Sequence, residues 1–247
     1  MRIRLPRRDG SRESTITREA FALATVPQLQ IDESLAGKVR LAQVVAGGLA
    51  VDDGSALWAL FEPFCRELAQ RWAGSPIGEV PGVQAARALY RAIGVDPTKT
   101  RPSSEALLRR VVQGKPLYRV NSLVDTINYC SLCFLLPIGL YDLDRIEGES
   151  ILLRRGGPGE FFEGIRKAGV NLEGRYALFD AGGPFGSPTS DSLRTSIRPD
   201  TVNSLALIFA PAGLDEKTLA VHAEFLAGQV ARFGGGLPET TVVGVAG

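Results

Sequence analysis

The segment RYALFDAGGPFGSPTSDSLRT (residues 175–195) begins as a strand and then changes character. Its first six residues form a short apolar run with two aromatics, closed by Asp180, which suits a β-strand. Residues 180–195 then hold five hydroxyl residues, two carboxylates, three glycines and two prolines, with no histidine or cysteine. A reactive serine needs a base, a metal needs more ligands, and a flexible linker does not need two prolines. The stretch reads as a rigid loop that offers many small hydrogen-bonding groups to a ligand.

Working outward, ILLRR (151–155) and VNSLALIFA (202–210) are also strand-like runs bounded by Gly, Pro and Asp. Earlier in the chain, KVRLAQVV (38–45) has the alternation of a half-buried strand. Helices dominate between these regions. Asp53 and Ser55 can cap a helix with Leu57, Leu60, Phe61, Phe64, Cys65, Leu68 and Trp72 at spacings of three and four. Gly74, Pro76 and Gly78 break the chain, and a further helix is expected over 83–93, stopped by Gly94. Ser103 suits an N-cap and Gly114 a stop. Ser122 with Asp125 fits a capping box for a helix ending before Pro137. A last helix spans 215–233, with Leu219, His222, Leu226, Val230 and Phe233 on one stripe, and the tail from 237 reads as loose or as a short edge strand. Helices early and strands late indicate an α+β fold, a layered domain of mixed or antiparallel sheet packed with helices.

The chain of 247 residues carries a formal net charge of +1, which argues against a protein that coats nucleic acid non-specifically. Three cysteines without a pairing pattern suit a reducing, cytoplasmic setting. No apolar run reaches the roughly 20 residues needed to span a bilayer. Five arginines precede Glu13, but no apolar core follows them, so residues 1–20 read as a flexible, solvated terminus.

Most candidate chemistry has a plain structural reading. Cys130 and Cys133 form a C-x-x-C pair inside a helix, where no N-terminal dipole lowers a thiol pKa, so they read as buried structural cysteines. A zinc set with Cys65 and His222 lacks the usual spacing, and no metal or other cofactor is expected. His222 has Leu219, Phe225 and Leu226 as helical neighbours and reads as a packed histidine. RRGGPGE (154–160) matches no nucleotide fingerprint and reads as a β-turn. The basic middle says more. Residues 91–119 hold seven basic against two acidic residues, a local excess of five in a nearly neutral protein. Arg91, Lys99, Arg101, Arg109 and Arg110 are the right type for a phosphate-binding rim, or else for a solvated face with salt bridges.

The run from YRAIGVDPTKTRPSSEALLRRVVQGK through TINYCSLCFLLPIGLYDLDRI, continued by LLRRGGPGEFFEGI and DAGGPFGSPTSDSLRTSI, resembles the B3/B4 tRNA-editing domain of the phenylalanyl-tRNA synthetase (phenylalanine–tRNA ligase) beta subunit. The likeness covers about residues 85–212 and is nearest to free-standing members of the family. It implies one editing-type domain over 21–236, followed by a tail over 237–247. It also implies an enzyme of translation quality control: a tRNA-binding deacylase, cleaving a misattached aromatic or related amino acid from aminoacyl-tRNA in trans. Its partner would be tRNA or aminoacyl-tRNA, with no DNA and no membrane. The alternatives are a non-catalytic RNA-binding module and a protein of the same fold that binds a free amino acid.

The resemblance also implies the site. Asn128 in TINYC matches an asparagine of the family's pocket, and Asp191 stands for an acidic residue that contacts the substrate side chain. Where the synthetases read Pro-Leu-His-Ala-Phe-Asp, this chain has Pro137-Ile138-Gly139-Leu140-Tyr141-Asp142, so Gly139 replaces the pocket histidine. The expected catalytic set is Asn128 and Asp191 with the backbone N–H groups of Gly182 and Gly183 as oxyanion donors. Gly139, Tyr141, Ser187, Thr189 and Ser190 are expected to bind the substrate.

Overall fold

The computed structural model describes residues 26–165 and 167–244, so the expected flexible terminus over 1–20 lies outside the described residues. In chain order the elements are β1 (Gln28–Ile31), β2 (Val39–Gly47), α1 (Ser55–Arg71), α2 (Pro81–Ala92), α3 (Ser103–Val112) and α4 (Ser122–Phe134). Then come β3 (Ile138–Asp142), β4 (Ser150–Arg155), β5 (Phe161–Gly164), β6 (Lys167–Asn171), β7 (Tyr176–Asp180), β8 (Gly183–Ser187), β9 (Ser190–Asp191), β10 (Ser204–Pro211), α5 (Glu216–Gly234) and β11 (Leu237–Gly244). The fold is α+β.

Two sheets carry it. One has the order β11-β2-β10-β3 and is antiparallel throughout; the other has the order β1-β4-β7-β8-β9, antiparallel apart from the parallel β1–β4 pair. The central strand β10 explains why VNSLALIFA lacks clean alternation. Leu205, Leu207 and Phe209 pack into a core shared with Leu153, Leu178 and Phe185 of the other sheet. Ala206, Ile208 and Ala210 face the opposite way, against Leu219, Ala223 and Leu226 of α5 and Ile127 of α4. A strand buried on both faces has no polar side to display. Large side chains fill the space between the sheets, while alanines let α5 approach closely. A third apolar cluster joins Phe61 of α1, Val83 of α2, Leu108 of α3 and Leu132 of α4.

Several local expectations shift. Asn121, not Ser122, caps α4: its side chain accepts from Val124 N at 2.8 Å. Asp125 is buried instead of completing a capping box, and accepts from Trp58 Nε1 at 2.7 Å. The tail is an eight-residue edge strand on β2. The polar segment 180–195 is not a loop: it contains β8 and β9, because Phe185 buries in the inter-sheet core and pulls its neighbours into strand pairing. The RRGGPGE segment does turn, held by two contacts of 2.8 and 2.9 Å between Arg154 and Glu160. Among the described residues no helix is long and apolar enough to cross a membrane.

Candidate functional site

The edges of the two sheets meet where β3 ends one and β9 ends the other, and a cavity of about 490 Å³ opens there. Val120, Val124, Ile127 and Asn128 roof it, with the last three on one face of α4 by their helical spacing. Ile138 and Leu140 of β3 form its floor, and Thr189, Ser190 and Asp191 its polar wall. Ile165 and Val170 of the β5–β6 hairpin close one side. The walls are therefore mostly apolar, with a few polar groups converging, which suits a small organic ligand.

Asn128 and Asp191 come to this single cavity from elements 63 positions apart in sequence. The Asn128 carboxamide makes no hydrogen bond among the described residues, and the residue lines the cavity. Asp191 as a whole is half-buried because it faces the cavity, yet its Oδ1 is shut away from solvent without a hydrogen-bond partner. Burial raises its pKa from 3.8 to about 7, and the Tyr141 phenol partly opposes that rise.

The structure separates the other expected residues. Thr189 and Ser190 line the cavity. Ser187 does not: it is 6% exposed, and its Oγ accepts from Thr189 N and Ser190 N and reaches Ser190 O, so it ties the β8–β9 turn together. Gly182 and Gly183 are not brought to the cavity. They sit at the other end of β8, where the Gly182 N–H already donates to Asp180 Oδ1 at 2.9 Å. Gly182 borders a separate hollow with Phe161 and Arg194.

Gly139 and Tyr141 lie on the face of β3 away from the cavity floor, and Tyr141 is wholly buried in the inter-sheet core. A Cβ at Gly139 or at Gly186 would collide with the Tyr141 ring. The glycine at 139 and the phenol at 141 are thus one structural fact, because the ring fills the space that a side chain at 139 would need. Neither residue touches a ligand in the cavity directly.

Next to the cavity runs a basic groove of about 520 Å³, lined by Arg101, Arg109, Arg110, Lys115 and Tyr118 and also bordered by Asn128. Glu105, fully buried, holds Arg87 through two contacts of 2.7 Å, Arg109 at 2.7 Å and Arg101 at 3.5 Å. Burial works to raise its pKa, but Arg87 and Arg109 win and lower it. One carboxylate facing three guanidinium groups leaves positive charge over. Arg91 and Lys99 lie outside this groove, Lys99 beside a different hollow with Asp96 and Thr189. Sequence reasoning missed Tyr118, which is 62% exposed with Arg110 4.4 Å from its ring centroid. An aromatic among cations between two helices was the available signal.

The remaining candidates settle simply. Cys130 is buried and Cys133 exposed, which corrects the reading of both as buried, and the three cysteines are unpaired. Among the described residues no cluster of metal-ligating side chains forms. His222 stacks on Phe134 at 4.5 Å, and burial lowers its pKa.

Comparison with known proteins places these features. Among solved structures the chain is similar to an N-terminal fragment of the phenylalanyl-tRNA synthetase beta-subunit from Pyrococcus horikoshii, with 15% identity and a TM-score of 0.46. The match covers 86% of this chain and 51% of the fragment, so the chain spans about half the length of that relative. No curated protein matches the chain. The B3/4 domain model matches residues 85–222, more than half of the sequence and all of the cavity's lining, and the protein belongs to the B3/4 domain family.

Proposed function

We infer that the protein removes a wrongly attached amino acid from aminoacyl-tRNA, acting in trans as an ester hydrolase. One observation carries this reading: Asn128 borders both the small cavity and the arginine-lined groove, so a phosphodiester strand in the groove leads its terminal ester into the cavity. The groove supplies sequence-independent attraction for phosphates. The cavity has room for an amino acid and part of a ribose, and its mostly apolar wall suits an aromatic or similar side chain.

An aminoacyl ester is already activated, so the site needs no strong nucleophile. It needs a water held in line and a donor for the developing oxyanion, and one such donor contributes about 3 kcal/mol. The Asn128 carboxamide, which lines the cavity, fits the donor role. Incubation with a panel of mischarged tRNAs tests the reading: release of an aromatic or hydroxylated amino acid above buffer is expected. A non-catalytic RNA-binding role is the second reading, favoured by the basic groove, which needs no chemistry in the cavity. It predicts salt-sensitive tRNA binding without release at any enzyme concentration.

A further inference from the structure

The inter-sheet core contains an anomaly that the reading above does not use. Among the described residues, only two buried side-chain polar atoms lack a hydrogen-bond partner: Tyr141 Oη and Asp191 Oδ1. Buried polar groups are nearly always satisfied, because each one left unpaired costs about 1–3 kcal/mol. Here the two orphans belong to groups that act on each other. Burial drives the Tyr141 phenol well above its ordinary value, and the Asp191 carboxyl adds to that rise. The phenol in turn holds the carboxyl down. The phenol and the carboxyl shift each other's pKa through a side-chain hydrogen-bonding interaction that falls outside ordinary hydrogen-bond geometry.

The backbone is arranged to keep the phenol there. Glycine occupies both positions, 139 on β3 and 186 on β8, where a Cβ would strike the ring. Phe185 packs edge-on against it with centroids 5.0 Å apart. Tyr90 of α2 is the other titratable group that feels Asp191, but its hydroxyl is committed to Pro188 O at 2.5 Å. Among the described residues no cation is among the groups that act on Asp191. Among the described residues Tyr141 is thus the proton donor available to the carboxyl's inner oxygen, while Asp191 lines the cavity with its other side.

We propose that Asp191 is the general base for the hydrolytic water and that Tyr141, seated in the space cleared by Gly139 and Gly186, is the residue that positions and partly neutralises it. This rests on the hydrolase reading given above. In the step, water adds through its oxygen to the ester carbonyl carbon and gives one proton to Asp191. The carbonyl–ribose C–O bond then breaks, the proton passes from Asp191 to the departing ribose oxygen, and the free amino acid and the free hydroxyl leave. Atoms and charge balance without a metal or a further reactant. Asp191 thereby acts at the ester, not at the substrate side chain as the resemblance implied.

The test is Y141F, which keeps the ring and its packing and removes only the hydroxyl. Deprived of its donor, the Asp191 carboxylate is harder to form, and the acid limb of the hydrolysis pH profile should move up by about one unit. At pH 6.5 the rate should fall severalfold, with recovery at higher pH. D191N should lose about 100-fold or more at all pH values. A purely structural role for Tyr141 would lower the rate without moving the limb. Carboxyl-carbon NMR of Asp191 provides a readout independent of turnover, with a midpoint near neutrality in the wild type and higher in Y141F. An unmoved limb with an active wild type, or full activity in D191N, overturns this inference alone. No turnover by the wild type overturns the hydrolase reading as well, and the NMR midpoints then show whether the pair shares a proton.

Discussion

Burying Asp191 has a consequence for folding that is separable from catalysis. In the unfolded chain its carboxyl titrates near 3.8, whereas in the folded protein burial lifts the value to about 7. Between those values the folded state keeps a proton that the unfolded state gives up. This stabilisation is complete below about pH 4 and is lost as pH rises through 7. Substituting Asp191→Asn removes the titration, so the stability of wild type relative to D191N should drop by on the order of 3 kcal/mol between pH 5 and pH 8. Urea unfolding of both proteins at the two pH values measures it, and parallel changes would place the carboxyl in contact with solvent. The sequence marked Asn128 and Asp191 through motif likeness alone. The burial that makes Asp191 unusual was not legible, because it depends on β3, α2 and the β8–β9 turn converging from distant parts of the chain.

At the scale of elements, α3 and the segment after it form one side of the groove beside the cavity. Arg109 is committed to the buried Glu105, so removing it would leave a buried carboxylate short of a partner and confuse binding with stability. Arg101, which is half-exposed, and Arg110, which packs on Tyr118, give the cleaner experiment. Replacing both with alanine should weaken tRNA binding and flatten its salt dependence by about two units of slope. Hydrolysis of a minimal aminoacyl-adenosine should stay unchanged, and an equal loss on both substrates would contradict a phosphate-binding groove. The excess of cations over 91–119 was plain in the sequence. Which of them share a surface was not, since Arg91 and Lys99 belong to other faces once α2 and α3 have packed. Helix boundaries were readable from Gly94, Gly114 and the apolar spacings, but strands β8 and β9 were hidden by their Gly, Pro and Ser content, which argues for loop until Phe185 is seen to bury.

For the whole molecule, the family match over 85–222 leaves out strands that complete the sheet beneath the site. Strand β10 pairs with β2 along eight register positions, and β2 in turn carries β11, both from outside the matched span. A fragment of residues 85–222 would expose both the ladder of β10 and the apolar inter-sheet core, so it should be unfolded or aggregated by circular dichroism and light scattering. A cooperative melt equal to that of the full chain would show that the first strands are dispensable. With the sheets intact, the most direct measurement is single-turnover release of amino acid from a panel of mischarged tRNAs by wild type and D191N. Release of an aromatic or hydroxylated amino acid by the wild type, reduced about 100-fold or more in D191N, is the result expected of a hydrolytic cavity at Asn128 and Asp191. Release that is equal in both proteins, or no release above buffer from any tRNA, would contradict it.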